Sequence, residues 1–323
     1  SLLFLMPTKV LSIVGPTGVG KSNLALWLAR QYKDLGRVIE IISMDSALVY
    51  KGMDIGTAKP SKAEQAEVAH HLIDVLDPSQ NYSAAQFASD AKELITDIKL
   101  RGNIPLIVGG TMLYWRAWVY GFSNLPAANP VVRAQLDLEA AEIGWPAMHA
   151  KLAILDPVSA ARLQANDSQR VQRALEVYAL TGRPLSELFK ETPSLAGRKQ
   201  EPNPDWVEVI SLEPSDRKIL HARLQDRFDQ MLESQLIEEV EQLRNRGDLH
   251  TNLPAIRSVG YRQVWEYLAG DIDFETMKEK AYAATRQLSK RQMTWLRAMD
   301  RRVFDPFDTK QMDLAQKQCL ALL

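Results

Sequence analysis

Eight consecutive residues, Gly15-Pro16-Thr17-Gly18-Val19-Gly20-Lys21-Ser22, match the pattern G-x-x-x-x-G-K-S in full. This pattern suits phosphate. Glycines let backbone N–H groups turn inward on phosphate oxygens, the lysine supplies a point charge, and a hydroxyl such as that of Ser22 can ligate Mg²⁺. Asp45 ends an apolar run at 38–44. A carboxylate there either positions a metal ion or acts as a base on a substrate beside the phosphates. A second run, 104–108, ends in Gly109-Gly110-Thr111 with no acid, which brings Thr111 to the same edge. Arg223 and Arg227 stand four apart in a helical stretch and so share a face.

Other cations suggest a larger anionic partner. Arg286, Lys290, Arg297 and Arg301 fall within an arc of roughly 60° when wound as a helix, with Leu288, Trp295 and Met299 opposite. That is an amphipathic helix with a basic stripe, apt for nucleic-acid phosphates, although a solvated charged face has the same pattern. Arg170 and Arg173 sit on a second helix, Arg257 and Arg262 bracket a Gly260-Tyr261 turn, and Arg133 lies between the two main α/β stretches. His70 and His71 are adjacent, so their side chains point apart and make a poor chelate; structural roles are expected.

The elements that must position these residues follow from periodicity. Short apolar runs at 10–14, 38–44 and 104–108 read as buried strands, with helices over about 22–32 and 84–100. Strands alternating with helices predict an α/β core with a parallel, doubly wound sheet, whose carboxyl edge binds ligands. Strand signals then vanish, and helices are predicted over 130–142, 145–155 and 168–180. Strand character returns at 206–212, followed by helices over 215–233, 235–246, 259–269 and 274–300. The core is therefore read as 1–112 with 202–323, split by an all-helical insertion over 113–201 whose return linker is the Pro-rich stretch 193–204.

Composition bounds the rest. The 323 residues are 46% hydrophobic and 24% charged, ordinary for a globular protein, with a formal net charge of −1 that by itself points to no nucleic acid. One cysteine, Cys319, excludes an internal disulfide and a cysteine zinc site, and fits a reducing cytoplasmic setting. The apolar run at 2–5 is interrupted by Pro7 and Lys9, so no signal peptide and no membrane segment are read.

Taken in order, the phosphate loop, Asp45-Ser46-Ala47-Leu48-Val49-Tyr50, Gly56-Thr57-Ala58-Lys59-Pro60 and Val108-Gly109-Gly110-Thr111 resemble the bacterial tRNA dimethylallyltransferases. So do Asp167-Ser168-Gln169-Arg170-Val171-Gln172-Arg173, Ile256-Arg257-Ser258-Val259-Gly260-Tyr261-Arg262-Gln263, and the stretch from Thr285-Arg286-Gln287 to Arg297. The resemblance runs from about residue 10 to 302, with Ser168 where the family often has Pro and Ser258 where it often has Cys.

The resemblance implies transfer of a dimethylallyl group from dimethylallyl diphosphate to N6 of adenine 37 in tRNA. The loop and Mg²⁺ would then hold the diphosphate leaving group, with Arg227 at the diphosphate and Arg223 a weaker candidate. Asp45 is the expected base on the adenine amine, with Thr111 near the same centre. The resemblance further assigns the tRNA anticodon stem-loop to Asp45, Ser46, Ala47 and Leu48, to Arg133, and to Gln169, Arg170, Val171, Gln172 and Arg173. It adds Arg257, Ser258, Val259, Gly260, Tyr261 and Arg262, then Arg286, Lys290, Arg291, Gln292, Trp295 and Arg297. No obligate protein partner is evident, and a monomer is expected. Three rivals share some of these residues: a prenyltransferase acting on a free adenine nucleotide, a P-loop small-molecule kinase, and a non-catalytic RNA-binding regulator.

Overall fold

In the computed structural model, residues 9–121, 125–191 and 202–323 are described. Strand β1 (Val10–Val14) leads through the glycine-rich loop into helix α1 (Lys21–Asp34), and β2 (Ile39–Ser43) follows. Helix α2 (Lys62–Glu67), the two-residue strand β3 (His70–His71), α3 (Ala84–Leu100) and β4 (Ile104–Gly109) complete the first half. Helix α4 (Met112–Tyr120) precedes five helices: α5 (Pro130–Ile143), α6 (Trp145–Leu155), α7 (Pro157–Arg162), α8 (Ser168–Thr181) and α9 (Leu185–Glu191). The chain returns through β5 (Val207–Leu212), α10 (Arg217–Glu233), α11 (Leu236–Asn245), α12 (Tyr261–Leu268), α13 (Phe274–Arg297), β6 (Arg302–Phe304) and α14 (Thr309–Leu322).

The sheet has six strands in the order β3-β2-β4-β1-β5-β6, and every pairing is parallel. Register puts Val14 beside Gly109 and Ser211. The loop after β1 therefore opens at the carboxyl edge, between the ends of β4 and β5, where the connections diverge and open sheets bind ligands. Both faces are covered. Leu11 and Ile13 point with Leu24, Leu28, Leu106 and Ile210 into one buried cluster. Val10 and Val14 point with Phe87, Ile107 and Trp115 into the other. Each fully buried aliphatic side chain contributes about 1.5–3 kcal/mol. Ser12, on the second face, accepts a hydrogen bond of 3.1 Å from Trp115 Nε1.

The chain divides into two compact units, Ser1–Tyr120 with Lys199–Leu323, and Gly121–Arg198. The first boundary falls at 121 and not at 113, because α4 buries Met112, Tyr114 and Trp115 in the core cluster of the sheet. The expected linker at 193–204 lies, up to residue 201, outside the described residues. The sequence analysis did not anticipate the helices α2, α4, α7 and α9, nor β3, β6 and α14. Strand β3 is too short for a period, and β6 is largely exposed. Helix α14 did carry a signal: Asp308 caps it, and Met312, Ala315 and Cys319 recur on one face. The helix expected over 274–300 ends at Arg297. The two histidines act structurally: His70 Nδ1 lies 2.7 Å from the Val68 carbonyl and His71 Nε2 lies 2.8 Å from Glu40. Among the described residues no helix is long and apolar enough to cross a membrane.

Candidate functional site

The loop is shaped by two close approaches. At Gly15 a Cβ would sit 2.5 Å from the Leu212 carbonyl oxygen, and at Gly109 a Cβ would sit 2.0 Å from that of Met44. Side chains at either position would push β1 from β5 or β4 from the segment after β2, so these glycines let the strand ends converge. Gly20 caps α1 in the left-handed conformation, φ 95°, with no side-chain acceptor on the first amides. Those amides, with the positive end of the helix dipole, are left for an anion.

Three cationic or polar groups surround the loop. Lys21 Nζ donates to the Gly15 and Pro16 carbonyls at 3.0 and 2.7 Å. Burial pushes its ammonium down to about 8, with Asp45 opposing and Arg227 adding to the shift. Arg227 Nη1 donates to Thr17 Oγ1 at 3.4 Å, and burial lowers its pKa while Asp45 raises it. Gln292, reaching in from α13, accepts from Thr17 N at 3.0 Å and donates to the Gly110 carbonyl at 3.2 Å.

Asp45 stands opposite, on the turn after β2. Its Oδ1 accepts from Ala47 N at 2.7 Å and Leu48 N at 3.2 Å, which fixes the carboxylate plane. Among the described residues its Oδ2 has no hydrogen-bond partner. Thr111 Oγ1 accepts from Ser46 N at 3.1 Å and lies 3.5 Å from Ser46 Oγ, tying the end of β4 to this turn. Lys21, Asp45, Thr111 and Arg227 thus converge on one edge, Arg227 having been expected there from the resemblance alone. Toward a Mg²⁺ ion this edge offers a hydroxyl and no cluster of three acids or histidines among the described residues. The ion prefers water and phosphate oxygens with one or two protein groups, and the exposed Ser22 hydroxyl on the first turn of α1 is such a group.

Several assigned residues stand elsewhere. Arg223 is exposed with its guanidinium 4.9 Å from the Phe307 ring centroid, so the shared helical face does not bring it to the loop. Tyr261 is fully buried; its hydroxyl donates to Glu239 and accepts from Gly56 N, so it is a core residue and not an RNA contact. Gly260 is buried beneath it as the start of α12, and Arg262 pairs with Glu266 at 3.2 Å. Arg257, Ser258 and Val259 are half-buried in the preceding turn. Trp295 is half-buried against the second core cluster, its ring 5.7 Å from the Arg116 guanidinium. Arg301 lies beyond the end of α13 and is engaged by buried Glu213 at 2.7 and 2.9 Å, so it is not part of the basic stripe.

The insertion shows the same pattern within itself. Arg133 donates to Glu176 at 3.0 and 3.1 Å, and Arg173 donates to Glu176 at 2.7 Å and to the Pro126 carbonyl at 2.6 Å. Glu176 is fully buried. Burial alone would raise its pKa, but the two guanidinium groups and the Asn129 amide hold it low. Val171 is core, and Gln172 donates to Asp137 at 2.6 Å. Gln169 and Arg170 are exposed, Arg170 lying 3.5 Å from Asp167. Of the cations that the resemblance assigns to tRNA, the exposed Arg286, Lys290, Arg291 and Arg297 of α13 make no ion pair among the described residues.

Gln292, which the resemblance assigns to tRNA, also grips the loop, a role the sequence analysis did not foresee. A signal was available: it falls on the apolar side of α13, with Leu296 and Met299, where a polar residue needs a buried partner.

The model describing IPP transferase matches residues 48–299. The chain is 60% identical over 311 residues to the tRNA dimethylallyltransferase of Polynucleobacter asymbioticus, covering 96% of this chain and 93% of that one. It superposes on the crystal structure of the full-length tRNA isopentenylpyrophosphate transferase of Bacillus halodurans with a TM-score of 0.65 and 36% identity, over 98% and 97% of the two chains. A eukaryotic dimethylallyltransferase acting on tRNA gives a TM-score of 0.74 at 28% identity, over 96% of this chain and 77% of that one.

Proposed function

The chain belongs to the IPP transferase family, and on that premise we propose that it transfers a dimethylallyl group from dimethylallyl diphosphate to N6 of adenine 37 in tRNA. The observation that carries this reading is the pairing of an uncapped phosphate loop with a rigidly held carboxylate across one sheet edge. Breaking the allylic C–O bond leaves negative charge on diphosphate. The loop amides, Lys21 and Arg227 stabilise that charge as it develops. Mg²⁺, held by the Ser22 hydroxyl together with diphosphate oxygens, would supply further charge neutralisation.

Adenine N6 is a weak nucleophile, because its lone pair is delocalised into the ring. Asp45 Oδ1 is committed to two backbone amides, which leaves Oδ2 to accept the N6 proton as the N6–C bond forms. One C–O bond breaks, one C–N bond forms, and the proton moves to Asp45. Lys21 bonds only to loop carbonyls, so it can swing onto an arriving phosphate without breaking an ion pair.

The test incubates the protein with dimethylallyl diphosphate and Mg²⁺ against undermodified tRNA, AMP and ATP in separate reactions, followed by mass analysis of the nucleosides. A five-carbon gain on adenosine in tRNA alone supports the reading. Unchanged tRNA with modified AMP would replace it by a free-nucleotide prenyltransferase.

A further inference from the structure

Away from the loop, α10 and α13 enclose a cavity of about 250 Å³. Its rim carries four cations, Arg217 from α10 and Arg286, Lys290 and Arg297 from α13, with His221 of α10 beside them. Its floor is apolar, with Leu220 and Met293. Among the described residues none of these arginines and lysines forms an ion pair. The neighbouring acids are otherwise engaged. Asp216 caps α10 by accepting from Lys218 N at 2.8 Å, and Glu213 is held by Arg301. Four cations around a cavity without a counter-charge repel one another, so the arrangement is poised for an anion.

We propose that this cavity takes one nucleotide of the RNA acceptor, with its phosphate on the cationic rim and its sugar and base over the apolar floor. The occupant is not the reacting adenosine. At about 100° per residue, Arg286, Lys290 and Arg297 lie roughly 120–160° around α13 from Gln292, which faces the loop. Cavity and donor loop therefore sit on opposite sides of the same helix. Arg217 and His221 become RNA contacts alongside the α13 cations, and a single phosphate is gripped from two helices.

The inference rests on the RNA reading above, so its test measures binding without donor. An anticodon stem-loop oligonucleotide is titrated over a salt series. Arg217→Gln should weaken binding about tenfold and lower the slope of log K against log salt by about 1, as expected for one lost phosphate contact. Arg223→Gln, on the same helix but over Phe307, should leave affinity and slope at the parent values. Combining Arg217→Gln with Lys290→Gln should cost less than the sum of the single losses, because both hold one phosphate. Parent-like affinity and slope in Arg217→Gln, with an unchanged melting temperature, would overturn the subsite. A protein that binds the stem-loop through Arg217 but modifies no adenosine would refute the proposed reaction and leave the subsite standing.

Discussion

Around the phosphate loop, Lys21 and Arg227 bond only to carbonyls and a hydroxyl, and the nearest carboxylate is occupied by its own turn. In the insertion, Arg133 and Arg173 close on one buried glutamate. The first arrangement keeps charge unneutralised at a cost visible in the depressed Lys21 pKa; the second spends its charge on folding. Cations of the same type thus serve binding in one region and stability in the other, and the discriminating feature is whether a buried carboxylate meets them.

The largest expected effect is at Asp45. Asp45→Asn keeps an oxygen for the Ala47 and Leu48 amides but cannot take the proton, so single-turnover transfer should fall about a thousandfold while both substrates still bind. Near-parent turnover would remove Asp45 as the base. Next, Arg227→Ala should weaken dimethylallyl diphosphate binding by about thirtyfold, the loss of one charged contact, whereas Arg223→Ala should change it less than about twofold. Equal effects in a titration of the two variants would erase the distinction between these helix neighbours.

In the insertion, Arg133→Ala leaves a buried carboxylate short of a partner and should lower stability by about 2 kcal/mol in denaturant unfolding. Arg170→Ala, exposed beside Asp167, should cost less than about 0.5 kcal/mol. A stable Arg133→Ala protein with impaired RNA binding would reassign Arg133 to the RNA. The pH dependence of donor binding is smaller still. Below about pH 8 Lys21 is already protonated and affinity should be flat. Above that value binding must draw in a proton, and affinity should fall by up to tenfold per pH unit. Lys21→Arg should abolish the break, because a guanidinium stays charged.

This contrast also explains what the sequence could show. The loop, Asp45 and Thr111 were legible because each follows a buried run, and a parallel sheet brings the ends of such runs to one edge. Strands β1, β2, β4 and β5 and most helices were legible from periodicity and apolar runs. The fate of an arginine was not, because its partner is remote in the chain: Arg301 meets Glu213, and Arg133 meets Glu176. Tyr261 and Val171 sit inside the stretches that carry the resemblance, yet both are fully buried and pack in the core. Gln292 could have been questioned from its helix face alone.

The most direct measurement of the central claim follows both products of one reaction containing undermodified tRNA, dimethylallyl diphosphate, ATP and Mg²⁺. The loop as a leaving-group cradle predicts one diphosphate released for each N6-modified adenosine, with ATP intact. Phosphate release from ATP with unmodified adenosine would contradict it and make the loop a nucleotide-hydrolysing or phosphoryl-transfer site.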